Sequence, residues 1–342
     1  MGQAVQSLPA CELTVGSMFA GVGGVCEACR QAGFTVSWAN ERDRRACITY
    51  RTNFPSHRLV EEDINSVSPA DLGPVDVLTS GFPCQSFSVA GRKRLGFGDP
   101  ERGHLFFTTA RFIQALRPKA YLLENVRGLV NHDGGNTIRI IDETIRGLDY
   151  SFVPFILDAK QHGNVPQHRE RIFIVGFRNE ATGGPLTDEY RIPGAIPLTA
   201  KIGDCLSQDP VPRKYYLRSG SYMMPHFMET SCSRATLYQW RRSYVRENKS
   251  NVCPTLTANM GAGGNNVPFL FDKQGIRKLT PKETFNFQGF PSDFILPAGI
   301  ADCHLYHQAG NSVAIPVVRR IAEELMRVLT ITSSRDIGAF SE

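Results

Sequence analysis

The sequence lacks the features that mark several large classes of protein. No run approaches the roughly 18 consecutive apolar residues of a membrane span, and residues 1–14 lack the basic start and apolar core of a secretion signal. Nine cysteines occur without zinc-finger spacing, and Cys26 and Cys29 fall where a helix is expected, so we interpret them as small buried residues. We therefore expect a cytoplasmic protein with free thiols and no bound metal. The net charge of +5 is compatible with a polyanionic partner but does not by itself indicate one.

Apolar runs alternate with helical patterns along the first half of the chain. Strands are predicted at residues 13–19, 35–39, 75–80, 120–123, 152–157 and 171–177, and helices before residue 31 and over 105–116, 138–145 and 313–329. Strands that alternate with helices are typical of an α/β fold, with a mostly parallel sheet and helices on both faces. Ligands of such sheets bind beyond the carboxyl ends of the strands.

The alternation stops at about residue 180 and returns at about residue 272. Pro, Gly, Tyr and Ser become frequent in this interval, and we interpret it as a smaller lobe of short strands and loops. The predicted division is one domain formed by residues 1–184 and 276–342, and a second formed by residues 185–275. The last dozen residues are expected to form a loose tail.

A glycine-rich turn, F-A-G-V-G-G at residues 19–24, follows the first predicted strand. It suits a nucleotide-like ligand because glycine lets the backbone come close. The pattern is not G-x-G-x-x-G, which argues against an NAD or FAD enzyme. Glu41 ends the next strand, where an acid can bind a ribose, and Asp63 with Ile64 could hold an adenine. Together these residues predict an adenosine-type cofactor, although a plain tight turn also explains the glycines alone.

A cysteine stands directly after the third predicted strand, in G-F-P-C-Q-S-F-S at residues 81–88. A loop at a strand end is a poor place for a core thiol. An unperturbed thiol is mostly protonated at neutral pH, so a nearby cation, a helix N-terminus or concerted proton transfer must activate it. We interpret Cys84 as a nucleophile, and a buried inert cysteine is the alternative.

Three further charged side chains belong to the same argument. Glu124 ends a strand in the same row as Cys84, where it could protonate or hydrogen-bond a substrate ring; a helix cap or a surface acid is the alternative. In Q-H-R-E-R at residues 167–171, strand alternation puts Arg169 and Arg171 on one face. Their guanidinium groups could hold a phosphate and a base carbonyl. A solvated strand start is the alternative.

In this order the motifs closely resemble those of the cytosine-5 DNA methyltransferase family, of the bacterial restriction–modification type. The set continues with N-E, D-I and E-N-V, then R-K-L-T-P-K-E at 277–283, Q-G-F-P at 288–291 and G-N-S-V at 310–313. The resemblance covers about residues 13–180 and 275–330. It implies a Rossmann-like sheet of the AdoMet-dependent methyltransferases, with helices on both faces, plus a smaller irregular β-rich target-recognition domain.

The resemblance also implies roles for individual residues. In this family a cysteine thiolate adds to carbon 6 of a flipped-out cytosine, and carbon 5 then takes the methyl group of AdoMet. By motif position Cys84 is the nucleophile, Glu124 acts at ring nitrogen 3, Arg169 contacts the cytosine carbonyl or orients the thiol, and Arg171 supports the site. The residues implied to line the AdoMet pocket are Phe19, Ala20, Gly21, Gly23, Gly24, Glu41, Arg42, Asp63, Ile64, Pro83, Asn311 and Val313.

Two segments are expected to supply the arginines that contact DNA. Residues 89–103 combine glycines with a basic trio and suit a lid over the flipped base; an ordinary flexible loop is the alternative. Residues 234–249 combine basic and aromatic side chains, as phosphate and base-edge contacts require; a solvated face is the alternative. The residues expected to contact DNA are Ser88, Arg92, Arg94, Gln167, Arg241, Arg242 and Thr255.

The implied partner is double-stranded DNA, bound by a monomer, with a cognate restriction endonuclease acting on the same site without direct contact. The recognised base sequence does not follow from the residues. One alternative is the branch of the family that methylates transfer RNA, which usually carries P-P-C at the nucleophile and C-F-T before the last motifs; this chain has F-P-C and no C-F-T. Another is a non-catalytic relative, which should have lost Cys84, Glu124 or an arginine.

Overall fold

The computed structural model describes residues 12–83, 105–179, 186–229, 236–262 and 266–338, with side chains as far as residue 331. The predicted nucleophile Cys84 lies outside the described residues, as do Ser88, Arg92, Arg94 and the predicted lid at 89–103.

A seven-stranded sheet forms the centre of the larger part of the molecule. Its strands are β1 (Thr14–Met18), β2 (Thr35–Asn40), β3 (Leu59–Val60), β4 (Val77–Ser80), β5 (Ala120–Val126), β6 (Val153–Asp158) and β7 (Glu170–Phe177). The spatial order is β3-β2-β1-β4-β5-β7-β6, and only β7 runs antiparallel to its neighbours. Because β2 and β4 flank β1, the strand order reverses there, and a ligand cleft is expected at that edge.

Helices cover both faces of this sheet, which confirms the predicted fold class. The helices in the described part of the chain are α1 (Gly24–Gln31), α2 (Arg44–Asn53), α3 (Pro69–Leu72), α4 (Leu105–Leu116), α5 (Asn136–Gly147), α6 (Ala159–His162), α7 (Met224–Met228), α8 (Pro281–Asn286), α9 (Asp302–Asn311) and α10 (Ile315–Gly338). Of these, α7 packs on the smaller sheet described next. One hydrophobic cluster packs α1, α2 and α10 against the sheet, and another packs α4 and α5. In the described part of the chain, no helix is both long and apolar enough to cross a membrane.

A four-stranded antiparallel sheet builds the smaller part. Its strands are β8 (Tyr238–Arg241), β9 (Tyr244–Glu247), β10 (Phe269–Phe271) and β11 (Ile276–Lys278), in the order β11-β10-β8-β9. Its core is aromatic, with Phe227, Tyr238 and Phe269 fully buried. The pairing of β11 with β10 carries this sheet as far as residue 278.

A buried ion cluster connects the small sheet to α8. Arg277 on β11 is 3% exposed and Glu283 on α8 is fully buried. Both Nη atoms of Arg277 donate to the two carboxylate oxygens of Glu283 at 2.8 Å, and Nε donates to Asp272 at 2.8 Å. The main-chain N–H groups of Thr280 and Ser207 complete the shell of Glu283. A buried ion pair with this many hydrogen bonds offsets its desolvation cost.

Two predicted boundaries are wrong. The strand expected to end at residue 123 continues to Val126, because β7 pairs beside it and places Glu124 opposite Phe173. The expected loose tail is instead the end of α10, which continues to Gly338. After Pro316 the chain has no glycine or proline before that residue, so nothing in its sequence stops the helix earlier.

The periodicity analysis missed three helices, and two of them begin at side-chain caps. Asp43 accepts the N–H groups of Arg45 and Ala46 at the start of α2. Thr280 and Glu283 form a capping box at the start of α8. The third missed helix, α9, follows Ala301. These helices are only six to ten residues long, so each offers few turns of apolar repeat to detect.

Candidate active site

A cleft of about 240 Å³ opens at the carboxyl ends of β1, β2, β4 and β5. The turn after β1, the end of β2, residues 62–64, residues 81–83 after β4 and Glu124 on β5 form one side. Residues 304–313, from α9 and the segment after it, close the other side. The reversal of strand order beside β1 therefore coincides with this cleft.

The glycine-rich turn owes its shape to specific steric demands. Gly23, with φ at 92°, begins α1 in the left-handed region, where a Cβ would also lie 2.3 Å from the ring of Phe54. At Gly24 a Cβ would lie 2.5 Å from Oγ of Ser312, so this glycine lets the segment after α9 approach α1. Gly24 lines the cleft and Gly23 does not.

The carboxylate of Glu41 is fixed at the end of β2 by main-chain donors. The N–H of Gly21 donates to Oε2 at 2.8 Å, and those of Arg42 and Asp43 donate to Oε1 at 2.9 and 2.8 Å. Burial raises the pKa of Glu41, and the three N–H groups oppose that rise. The side chain therefore presents an oriented acceptor to the cleft, which fits the hydroxyl groups of a ribose.

Asp63 forms an ion pair that the sequence did not predict. Nη1 of Arg42 lies 2.7 Å from Oδ2 of Asp63, and the N–H of Asn65 donates to Oδ1 at 2.9 Å. The Asn65 N–H lowers the pKa of Asp63, and Arg42 adds to the effect. The carboxylate stays ionised, and its remaining lone pairs can accept a hydrogen bond from an amino group.

Glu124 occupies the inner end of the cleft beside two arginines. Its Oε1 lies 3.2 Å from Nε of Arg171, and both side chains are about 15% exposed. Burial raises the pKa of Glu124, and the positive charges of Arg171 and Arg169 only partly oppose that rise. A carboxyl group with a raised pKa holds its proton more readily, so Glu124 is suited to donate one.

Arg169 is 3% exposed and joins three segments around the cleft. Its Nη1 donates to the carbonyl of Leu256 at 2.8 Å, and Nη2 donates to the carbonyls of Gly310, at 3.1 Å, and Ser312. Arg169 and Arg171 both line the cleft. The guanidinium group of Arg169 therefore holds the loop after Pro254 and the segment after α9 against the cleft.

Most of the predicted site residues meet in this one cleft. Those that line it are Phe19, Ala20, Gly21, Gly24, Glu41, Arg42, Asp63, Ile64, Pro83, Glu124, Arg169, Arg171, Asn311 and Val313. Sequence analysis missed Arg45 on α2 and His304, His307 and Gln308 on α9, which also line it. On α9, positions 304, 307, 308 and 311 have the spacing of one helix face, and this signal could have found them.

A second opening, of about 470 Å³, lies between the β8–β9 hairpin and the loop after Ser250, and we call it the groove. Its lining residues are His168, Gln239, Trp240, Arg241, Arg246, Asn248, Ser250, Pro254, Thr255, Thr257, Asn259 and Asn266. None of these described lining residues is acidic, and three are basic: His168, Arg241 and Arg246. The groove therefore suits a polyanion.

The predicted DNA contacts divide between the groove and other places. Arg241 and Thr255 line the groove, whereas Arg242 is exposed on the hairpin turn outside the lining. Gln167 is fully buried, donates to the carbonyl of Phe287 at 2.6 Å and accepts the N–H of Leu256 at 3.1 Å. The structure thus does not bring Gln167 to a DNA-facing surface.

His168, which was not among the predicted contacts, is held rigidly at the rim of the groove. Its Nδ1 lies 2.7 Å from Oδ2 of the buried Asp158. A carboxylate only accepts, so Nδ1 carries the proton and Nε2 is the other polar atom of the ring. The hydroxyl of Thr255 donates to the carbonyl of His168 at 2.6 Å.

The fold and the cleft together define an α/β protein whose cleft suits an adenosine-type cofactor. The chain belongs to the C-5 cytosine-specific DNA methylase family, whose model matches residues 13–327. It is a DNA (cytosine-5) methyltransferase that uses AdoMet. Among the described residues, no group of three or more His, Cys, Asp or Glu side chains could hold a metal ion.

Individual relatives agree with this assignment. The chain is 51% identical over 318 residues to the Type II methyltransferase M.Bsp6I of Bacillus sp. (strain RFL6), covering 92% of this chain and 99% of the relative. It is 37% identical over 315 residues to the Type II methyltransferase M.SsoII of Shigella sonnei, covering 91% and 79%. The crystal structure of S. pombe Dnmt2 methyltransferase has the same fold, with a TM-score of 0.71 at 17% identity over 93% of this chain and 99% of that one.

Proposed function

We propose that this enzyme methylates carbon 5 of a cytosine flipped out of a short specific sequence of duplex DNA, through a covalent adduct with Cys84. One observation carries the proposal. Pro83, which is joined directly to Cys84, lines the same cleft as Glu124, Glu41 and Asp63. The segment that leads to position 84 therefore ends in the cleft that holds the proposed ring acid and cofactor acceptors.

The residues of the cleft fit AdoMet. Bound there, AdoMet supplies an electrophilic methyl group. Glu41 accepts the ribose hydroxyls, and Asp63 with Ile64 binds the adenine. The others proposed to line the cofactor site are Phe19, Ala20, Gly21, Gly24, Arg42, Pro83, Asn311 and Val313, while Gly23 shapes the turn. The carboxylate of Glu41, already oriented by three N–H groups, is the feature of the structure that fits a ribose best.

In the proposed chemistry Cys84 is the nucleophile and Glu124 is the proton donor. The Cys84 thiolate forms a bond to carbon 6, and the π electrons of the carbon 5–carbon 6 bond move into the ring. Glu124 donates its proton to ring nitrogen 3, so carbon 5 becomes an enamine carbon. It would take the methyl group as the methyl–sulfur bond of AdoMet breaks and leaves its electron pair on sulfur. Loss of the carbon 5 proton to water then restores the double bond and expels the thiolate, and ring nitrogen 3 returns its proton to Glu124. Arg171 holds the Glu124 carboxyl in place, and Arg169 lies beside it.

A stacked cytosine cannot reach this cleft, so the base must leave the duplex, at a cost of a few kcal/mol. We propose that the duplex lies against the groove, where Arg241, Arg246 and His168 meet its phosphates and bases. Arg242 contacts a phosphate, whereas Thr255, which the sequence predicted as a contact to the phosphate of the flipped nucleotide, keeps its hydroxyl on the carbonyl of His168. The groove and the cleft share the loop after Pro254, because Arg169 in the cleft binds the carbonyl of Leu256.

The relatives' designation as Type II methyltransferases supports a role in restriction–modification. We propose that the enzyme acts as a monomer in the cytoplasm and protects the target of a cognate endonuclease without contacting it. The alternative, methylation of transfer RNA, has no observation of this structure in its favour.

The first experiment is methyl transfer from labelled AdoMet to random-sequence duplex DNA and to transfer RNA in parallel, followed by bisulfite sequencing of the DNA. We expect 5-methylcytosine at one short recurrent sequence. Label in transfer RNA alone would replace the proposal with the RNA alternative. Label spread over cytosines in every sequence context would remove the specific target from it.

The covalent step has its own test. In duplex DNA with 5-fluorocytosine at the target, the fluorine cannot leave as the proton does, so the enzyme should remain bonded to the DNA through sulfur. We expect a denaturation-resistant complex with the unsubstituted enzyme and none with Cys84→Ser, which should still bind AdoMet. Cys303→Ser is the matched control, since Cys303 is an exposed thiol outside the cleft lining, and it should still form the complex. A complex formed by Cys84→Ser would contradict the assignment.

A further inference from the structure

The β8–β9 hairpin is a rigid support with one anchored face and one open face. Side chains alternate along a strand, and on β8 Tyr238 and Trp240 point into the aromatic core of the small sheet. Gln239 and Arg241 therefore share the opposite face. Both line the groove, as does Arg246, which pairs with Gln239 across the hairpin; Trp240 also borders the groove but is only 6% exposed. Strands hold side chains more precisely than loops do.

Arg241 has an orienting partner on its own strand. Its Nη2 donates to Oε1 of Gln239 at 3.1 Å. The two residues are two positions apart on one face, so the contact follows directly from the strand geometry. A guanidinium group restrained in this way loses less conformational freedom when it binds a further acceptor. The side chain of Arg241 lines the groove.

The neighbouring arginine lacks this arrangement. Arg242 lies on the hairpin turn, with a left-handed φ of 55°, and is outside the lining of the groove. The chain thus places two adjacent arginines in different settings, one on the groove face of a strand and one on an exposed turn. In DNA recognition, contacts to base edges read the sequence, whereas contacts to phosphate position the protein.

Guanine is the base that suits Arg241. In the major groove it offers two acceptors, O6 and N7, which a guanidinium group can bind together. The groove has no acidic lining residue among those described to compete for the arginine. We propose that Arg241 reads one guanine of the target sequence and that Gln239 is its positioning residue, while Arg242 contacts phosphate only. This inference rests on the proposed methylation of a specific duplex sequence.

The adjacent arginines allow a matched experiment with Arg241→Lys and Arg242→Lys. Lysine keeps the charge but loses the bidentate fork. Each variant methylates a random-sequence duplex library, and bisulfite sequencing gives the base preference at every position around the modified cytosine. With Arg241→Lys we expect one position that demands guanine to accept other bases, its preference falling roughly 5- to 150-fold. With Arg242→Lys we expect the same target and the same strictness at every position.

Several outcomes would overturn the inference. Arg241→Lys with undiminished guanine preference would do so, and so would relaxation by Arg242→Lys at the same position. Relaxation at a position where guanine was not required would also contradict it. If the unsubstituted enzyme itself methylates no specific DNA sequence, the proposed function has failed instead. Equal AdoMet affinity and melting temperature for the two variants shows that both are folded.

Gln239→Leu tests the positioning role. It should relax the same position as Arg241→Lys, by a smaller factor of roughly 2- to 10-fold, because the arginine is still present but no longer oriented. Relaxation at a different position would make Gln239 a base contact in its own right. No change at any position would remove its positioning role.

Discussion

The cleft and the groove hold their polar side chains in different ways. In the cleft the key groups are fixed by main-chain atoms: three N–H groups hold Glu41, and Arg169 is buried and bound to three carbonyls. In the groove the side chains of Arg241 and Arg246 are exposed on a hairpin whose other face carries the packing. The cleft therefore constrains its residues through the fold, whereas the groove can exchange them at little cost to the fold.

This difference separates chemistry from recognition. An exposed strand face tolerates substitution because what stabilises the hairpin is its buried aromatic face. A change in the cleft disturbs buried hydrogen bonds and charges. We therefore expect substitutions in the cleft to alter rate or cofactor affinity by large factors, and substitutions in the groove to alter which DNA is methylated.

The largest expected effect on activity is that of Glu124→Gln. Glutamine can hydrogen-bond the ring but cannot give up a proton, so kcat should fall roughly 100- to 10,000-fold. Because burial raises the pKa of Glu124, the protonated form persists to higher pH than in an exposed glutamate. For the unsubstituted enzyme kcat should then fall as pH rises through that pKa, and the variant should lack this limb. Steady-state kinetics across pH measure both effects, and an unaltered alkaline limb in the variant would assign it to another group.

The next effect concerns the buried ion cluster that connects the small sheet, which carries the groove, to α8. Arg277→Met removes one partner of a buried pair and leaves Glu283 uncompensated, so the free energy of unfolding should fall by about 3–5 kcal/mol. Urea denaturation measures this loss. Arg319→Met is the matched control, because Arg319 pairs with Glu323 on the exposed face of α10, where an ion pair contributes about 0–1 kcal/mol. Similar losses for both variants would show that burial of the Arg277–Glu283 pair has no special role.

A smaller effect is expected from Glu41→Ala in the cofactor part of the cleft. Loss of a charged acceptor should weaken AdoMet binding roughly 10- to 100-fold, measured by calorimetry without DNA. Glu62→Ala removes another carboxylate from the cleft lining and is the control for loss of negative charge alone; we expect a change within about threefold. Equal losses for the two variants would mean that Glu41 acts through charge alone and not through hydrogen bonds to the ribose.

Some residues of the cleft and the groove are predictable from the sequence and others are not, and the reasons are physical. Residues at strand ends, such as Glu41 and Glu124, are predictable because parallel strands bring their carboxyl ends to one edge. Arg45 and His307 were missed because α2 and α9, the helices on which they lie, were not predicted. Gln167 was expected at the DNA surface because its motif is polar. The fold instead uses its amide to join Phe287 to Leu256.

The groove was the least predictable region. Its residues come from segments that only the folded chain brings together, such as His168 before β7 and Trp240 on β8. The ion pair between Asp63 and Arg42 was also not predictable, because the two residues lie in different loops, 21 positions apart in the sequence. Motif letters thus indicate the chemistry of the cleft but not the partners that orient each side chain.

The smallest expected effect is that of Thr255→Val, and it tests whether the groove really uses this hydroxyl. Threonine has a single O–H, which here donates to the carbonyl of His168, and a phosphate oxygen can only accept. To contact a phosphate the hydroxyl must therefore give up His168, and exchanging one hydrogen bond for another gains little. We expect DNA affinity to fall within about threefold and stability by about 0.5–1.5 kcal/mol, with Thr255→Ser close to the unsubstituted enzyme. A loss of affinity well above tenfold would show instead that the hydroxyl leaves His168 for the DNA backbone.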